Sequence, residues 1–188
     1  MIIRINEIDL PIKRNNCVND RIKHGFTLVE ILIVVVILGV LAALVAPQFS
    51  NASHMARENA LKDDLRYLRT QIGIYKAQHQ DVPPGYPDGV TSSVPDATTF
   101  VLQLTSYTSS IGDYSTTPTA THAFGPYLLR MPVNPINGKD GVWVYLADTQ
   151  MPLPDAANNV GWIYNPLTQQ IIANLPGNDD RAMPYASY

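Results

Sequence analysis

Glu30 is the one charged residue in FTLVEILIVVVILGVLAALVA, the run from Phe26 to Ala46. An ionised carboxylate costs about 2.5–3.5 kcal/mol at the centre of an apolar membrane helix and less near its end, so Glu30 needs a cation or a route to water. Two chemistries answer that need. One is pairing with a positive group on another molecule; the other is snorkelling of the side chain to the headgroups from one turn inside the helix. Catalytic patterns are missing from the sequence: there is no GxSxG, HExxH, P-loop or glycine-rich dinucleotide turn. His54, His79 and His122 stand singly and read as surface residues. The chain reads as a non-enzyme.

The element that must position Glu30 is the apolar run itself. As a helix rising ~1.5 Å per residue it covers about 30 Å, one hydrocarbon thickness, and reads as a transmembrane segment over residues 26–46. Residues 1–25 hold five Lys/Arg against three Asp/Glu and form a cytoplasmic leader, while the remainder holds eight against thirteen. Arg21 and Lys23 before the span leave the N-terminus in the cytoplasm and send the rest outward. A secretory signal peptide is the rival reading, but its apolar core is about 7–15 residues and would not hold Glu30. The acidic balance after residue 25 repels phosphate backbones, so nucleic acid is excluded as a partner. Cys17 is the sole cysteine and lies in the leader, so no disulfide can staple residues 26–188.

Residues 47–82 continue as an amphipathic helix. Leu61, Leu65, Leu68, Ile72 and Tyr75 recur at 4-3-4-3 spacing, and Lys62, Asp63, Arg66, Arg69 and Lys76 take the opposite face. That stripe packs on a head; a free-standing coiled coil would need more heptads. Pro83-Pro84-Gly85 ends the helix. The head, residues 83–188, opens with a Ser/Thr/Pro/Gly-rich stretch to Gly125. Within it Asp96 caps a short helix bearing Phe100, Leu104 and Tyr107. Residues 142–146, 161–164 and 171–175 then read as strands, with Asn165-Pro166-Leu167-Thr168 a turn between the last two. The expected fold is α+β: a long N-terminal helix on a small antiparallel sheet.

The junction Gly25-Phe26-Thr27-Leu28-Val29-Glu30 resembles the processing motif of type IV pilins and type II secretion pseudopilins. The resemblance implies a membrane peptidase that cuts after Gly25 and methylates the new amine of Phe26. A residue without a side chain lets the backbone lie extended in a narrow cleft. It also implies that Glu30 pairs with the Phe26 amine of a neighbouring subunit during assembly. Gly39 and Pro47 fall where relatives weaken the helix; Pro47 removes a hydrogen bond and kinks or unwinds it, or else marks the membrane exit.

The segment Phe124-Gly125-Pro126-Tyr127-Leu128-Leu129-Arg130-Met131-Pro132-Val133-Asn134-Pro135 is similar to that of the major pseudopilins, as is Trp162-Ile163-Tyr164-Asn165-Pro166. The leader is longer than in most relatives, and the stretch from Val90 to His122 has no counterpart. The resemblance implies an inner-membrane protein with a periplasmic head in a homo-oligomeric filament that drives secretion. Its partners are the prepilin peptidase/methyltransferase, minor pseudopilins and an inner-membrane assembly platform. A type IV pilus pilin and a single-pass anchored periplasmic binding protein remain the alternatives. No cofactor is expected except a structural calcium, which major pseudopilins hold in a C-terminal loop. Asn178, Asp179 and Asp180, with Asp148 or Asp155, are the candidate ligands, and a solvated acidic tail is the other reading.

Overall fold

The computed structural model describes residues 25–146 and 150–188. The leader up to residue 24, and Asp148, lie outside the described residues. The chain divides into two units, residues 1–45 and 46–188.

Helix α1 spans Leu28–Gln78 and is assigned without interruption through Gly39 and Pro47. In the first unit the 18 residues Leu28–Val45 are long and apolar enough to cross a membrane, and none is buried. No water-soluble core takes these side chains, as expected of a segment whose solvent is hydrocarbon.

In the second unit α1 buries the stripe expected of it: Leu61, Leu65, Leu68, Ile72 and Tyr75 are all at most 3% exposed. They join Phe100, Leu104, Leu128, Trp162, Tyr164 and Ile171 in one core, so the coiled-coil alternative falls. α1 stops before the prolines. The N–H groups of His79 and Asp81 both donate to the Lys76 carbonyl, and Gln80 and Asp81 turn to positive φ, closing the helix at Gln78 rather than residue 82.

Helix α2, Ala97–Thr105, is capped as expected: the Asp96 carboxylate accepts the Thr99 N–H at 2.9 Å. Phe100 and Leu104 face the core, whereas Tyr107 has left the helix for strand β1, Tyr107–Thr108. β1 pairs antiparallel with β2, Tyr114–Ser115, a short ribbon within the stretch read as loop.

The main sheet corrects the expected topology. β3 (Val142–Val144) runs parallel to β4 (Trp162–Asn165), and only β4 and β5 (Gln170–Ala173) are antiparallel, so the sheet is mixed with order β3-β4-β5. Strand periodicity shows that strands exist but not their direction. A parallel neighbour needs a crossover of a dozen or more residues, and the chain between Val144 and Trp162 supplies one. Asn174 organises the end of that crossover: its Nδ2 donates to the carbonyls of Asp155, Asn158 and Val160, and its Oδ1 accepts the Asp155 N–H. The β4–β5 turn forms at Asn165, whose Oδ1 accepts the Leu167 N–H at 2.9 Å, with Gln169 at positive φ.

Candidate processing and assembly site

Gly25 and Phe26 precede α1 as exposed, non-helical chain, and Phe26 is 78% exposed. Among the described residues, a Cβ added at Gly25 would meet nothing within 4 Å. The described residues therefore make no steric demand for glycine here. Gly39 is equally unencumbered. By contrast, a Cβ at Gly161 would overlap the Lys139 carbonyl oxygen, so that glycine is required by packing.

Glu30 sits in the first turn of α1, exposed, and its backbone N–H donates to Thr27 Oγ1 at 3.1 Å. The Thr27 carbonyl accepts the Ile31 N–H, which makes Thr27 the residue that caps the helix. Thr27-x-x-Glu30 thus has the spacing of a capping box, a second signal in the sequence that a reading of charge alone misses. The carboxylate is also favoured by the positive end of the helix dipole. It stands at the surface of an apolar helix with its first turn ordered, available to an external cation.

At the far end of the chain the three residues expected to hold calcium take different paths. Asn178 bridges to Pro184. Asp179 is buried and organises the tail: Oδ1 accepts the N–H groups of Arg181 at 2.9 Å and Met183 at 2.8 Å, and Oδ2 accepts the Tyr188 hydroxyl at 2.6 Å. The Tyr188 hydrogen bond, together with those backbone bonds, holds the Asp179 carboxyl below its usual range. Asp180 points elsewhere. Its N–H donates to Glu58 Oε1, and its carboxylate lies 3.4 Å from His54 Nδ1.

Glu58 is the helix residue around which the tail is arranged, and no local pattern in the sequence singles it out. It is 7% exposed, accepts the Tyr185 hydroxyl at 3.1 Å, and lies 3.4 Å from His54. Burial, then the Glu58 carboxylate, pushes the Tyr185 hydroxyl up to about 12. Lys62 sits over the Tyr188 ring, 4.1 Å from its centroid. The i,i+4 spacing of His54, Glu58 and Lys62 is visible in the sequence, but the tail partners of Glu58 lie 122 or more residues away.

His79 departs from the surface position expected of it. It is 2% exposed, stacks on Tyr75 at 3.8 Å, and contacts the Tyr75 carbonyl through Nδ1 at 2.6 Å and Thr108 Oγ1 through Nε2 at 3.0 Å. Burial outweighs those bonds and holds its pKa below the ordinary value.

Residues 20–46 match the family model described as the prokaryotic N-terminal methylation motif. Type II secretion system core protein G of Pseudomonas aeruginosa is 41% identical over 63 residues, 34% of this chain and 44% of that protein. The Dickeya chrysanthemi protein of the same name is 39% identical over 64 residues, 34% of this chain and 42% of that protein. Competence protein ComGC of Halalkalibacterium halodurans is 30% identical over 59 residues, 31% of this chain and 58% of that protein. None of these names is that of an enzyme. The chain spans less than half the length of the first two relatives, and no solved structure matches it. Residues 20–46 thus carry the prokaryotic N-terminal methylation motif, and about a third of the chain is similar to type II secretion system core protein G.

Proposed function

We propose that this chain is the precursor of a pseudopilus subunit that is cut between Gly25 and Phe26, methylated on the new amine, and assembled into a filament driving type II secretion. Gly25 carries the reading. It lies within the matched motif, and among the described residues nothing would meet a side chain there, so a glycine at this position suits a molecule that grips the backbone. The prepilin peptidase/methyltransferase is that molecule. Glu30, exposed on an apolar helix, then takes the Phe26 amine of a neighbouring copy as its cation and sets the register of the filament.

In this reading Leu28–Val45 spans the inner membrane, the head lies on the periplasmic side, and minor pseudopilins and an inner-membrane assembly platform complete the machine. A structural calcium in the C-terminal loop belongs to the same reading, with Asn178 and Asp179 as the candidates that remain once the Asp180 carboxylate is turned toward His54. The likeness to a competence protein favours a second reading, a type IV pilus pilin working in uptake or adhesion.

Intact mass and N-terminal sequencing of membrane-purified protein test the core of the proposal, with a chain beginning at N-methyl-Phe26 expected. A chain that still begins at Met1, or one cut after Ala46, refutes it. Secretion of a reporter cargo by a strain lacking the subunit separates the secretion filament from the pilus.

A further inference from the structure

We infer that His54, Glu58 and Asp180 form a binding site for a divalent transition-metal ion of the zinc type, one that ties the C-terminal tail to helix α1. His54 and Glu58 are one turn apart on α1 and share a face, and Asp180 arrives from the tail. One ligand atom from each of the three lies within 4.8 Å of the others. His54 Nδ1 is 3.4 Å from Glu58 Oε1 and 3.4 Å from Asp180 Oδ2. Zinc holds nitrogen and oxygen ligands at about 2.0–2.2 Å, so neighbouring ligands of a tetrahedral site stand roughly 3.3–3.6 Å apart. Both separations from His54 have that value before any ion is added.

The donor set selects the metal. Calcium takes six to eight oxygens, whereas one imidazole nitrogen with two carboxylates suits zinc, cobalt or nickel. The site also has outer support. Glu58 is buried and fixed by the Tyr185 hydroxyl, and the N–H of Asp180 donates to the same carboxylate, so two of the three ligands are oriented by the packed tail. His54 and Asp180 are about half exposed, which gives the ion a way in and leaves a coordination position for water. The site is independent of the filament reading. Its consequence is mechanical: an ion here joins segments 122 residues apart in a chain whose one cysteine is Cys17.

The test is titration of the full-length protein in detergent with zinc, cobalt and calcium, each alone after removal of metal with a chelator, and then of zinc into the cobalt-loaded protein. One equivalent of zinc is expected to bind, to raise the melting temperature, and to displace cobalt whose visible absorption reports four- or five-coordinate geometry. Loss of a ligand should cost at least what loss of an outer partner costs, about 10–100-fold in affinity, so His54→Ala and Asp180→Asn should each weaken zinc binding by that much or more. Both side chains are substantially exposed, so these variants should fold. Zinc affinity unchanged in His54→Ala overturns the inference, as does calcium binding at this site with equal strength. If His54 instead serves only as a cationic bridge between two carboxylates, zinc will leave the wild-type melt unmoved, and that too overturns it.

Discussion

Thr27 Oγ1 accepts the backbone N–H of Glu30 at 3.1 Å, so the residue after the Gly25-Phe26 junction closes the first turn of the apolar helix that carries Glu30. One four-residue stretch both begins a helix and places a carboxylate at its N-terminus, where the dipole favours it. Thr27→Val keeps the shape and deletes the cap. Loss of such a cap costs about 1 kcal/mol. The amide of Glu30 should then exchange roughly fivefold faster while amides beyond the first turn are unaffected. Hydrogen exchange with residue resolution on the detergent-solubilised protein measures this, and equal rates in the two proteins would remove Thr27 from the cap.

The buried stripe of α1 predicts an asymmetry between two faces of one helix. Leu68 is fully buried among the core residues, whereas Ile74 is 40% exposed. Leu68→Ala should destabilise the head by about 2–5 kcal/mol, the range for a large-to-small change in a core that cannot collapse fully. Ile74→Ala should stay within about 0.5 kcal/mol of wild type. Fluorescence of the buried Trp162 during urea unfolding reads both.

His79 predicts a pH dependence whose sign is set by its burial. Its neighbours are Tyr75, Phe124, Tyr127 and Thr108, with no charged side chain among those contacts, and its pKa in the fold lies below the free value of 6.5. Above pH 6.5 the histidine is neutral in both folded and unfolded chains, and its contribution is fully present. As pH falls below 6.5 the unfolded chain takes up a proton that the folded one resists, so stability is lost progressively toward the lower, folded pKa. Wild type should therefore lose melting temperature relative to His79→Gln between pH 7.5 and 5.5. Asp179 is held below 3.8, so its own loss falls at more acidic pH and does not contaminate that window. A constant difference between the two proteins across it would show that His79 titrates normally.

Where the sequence was legible, a local rule sufficed. The 4-3-4-3 stripe from Leu61 to Tyr75, the Asp96 cap and the Asn165 turn each rest on residues within a few positions of one another, and each is found in the fold. What stayed hidden depends on distant partners. The parallel pairing of Val142–Val144 with Trp162–Asn165 is set by how the crossover closes, which no residue pattern within either strand records. His79 is buried because Thr108 and Phe124 come to it, and Glu58 is buried because Tyr185 and Asp180 return from the tail. A single polar residue on a helix looks the same in sequence whether water or a returning tail covers it. At the Gly25-Phe26 junction the pattern of residue types named the candidates, and among the described residues no atom lies within 4 Å of a Cβ placed on Gly25.

Replacement of Glu30 is expected to separate insertion from assembly. Glu30→Ala deletes a charge whose placement in an apolar helix costs up to about 2.5–3.5 kcal/mol, so the variant should enter the membrane at least as well as wild type. Thr27 remains to cap the helix, because its bond is to the backbone N–H of residue 30 and not to the side chain. If Glu30 is, as proposed, the partner of a neighbour's Phe26 amine, that partner is gone, and an unpaired ammonium among apolar helices opposes packing. Cross-linked oligomers and reporter secretion should therefore fall sharply while membrane-bound, processed subunit accumulates. Glu30→Gln should behave nearly as badly, since it keeps size and hydrogen bonding but not the charge. A role for the carboxylate confined to the helix dipole predicts instead a small loss of helix stability and wild-type assembly in both variants. Filaments and secretion at the wild-type level in Glu30→Ala would show that register is set by apolar packing alone.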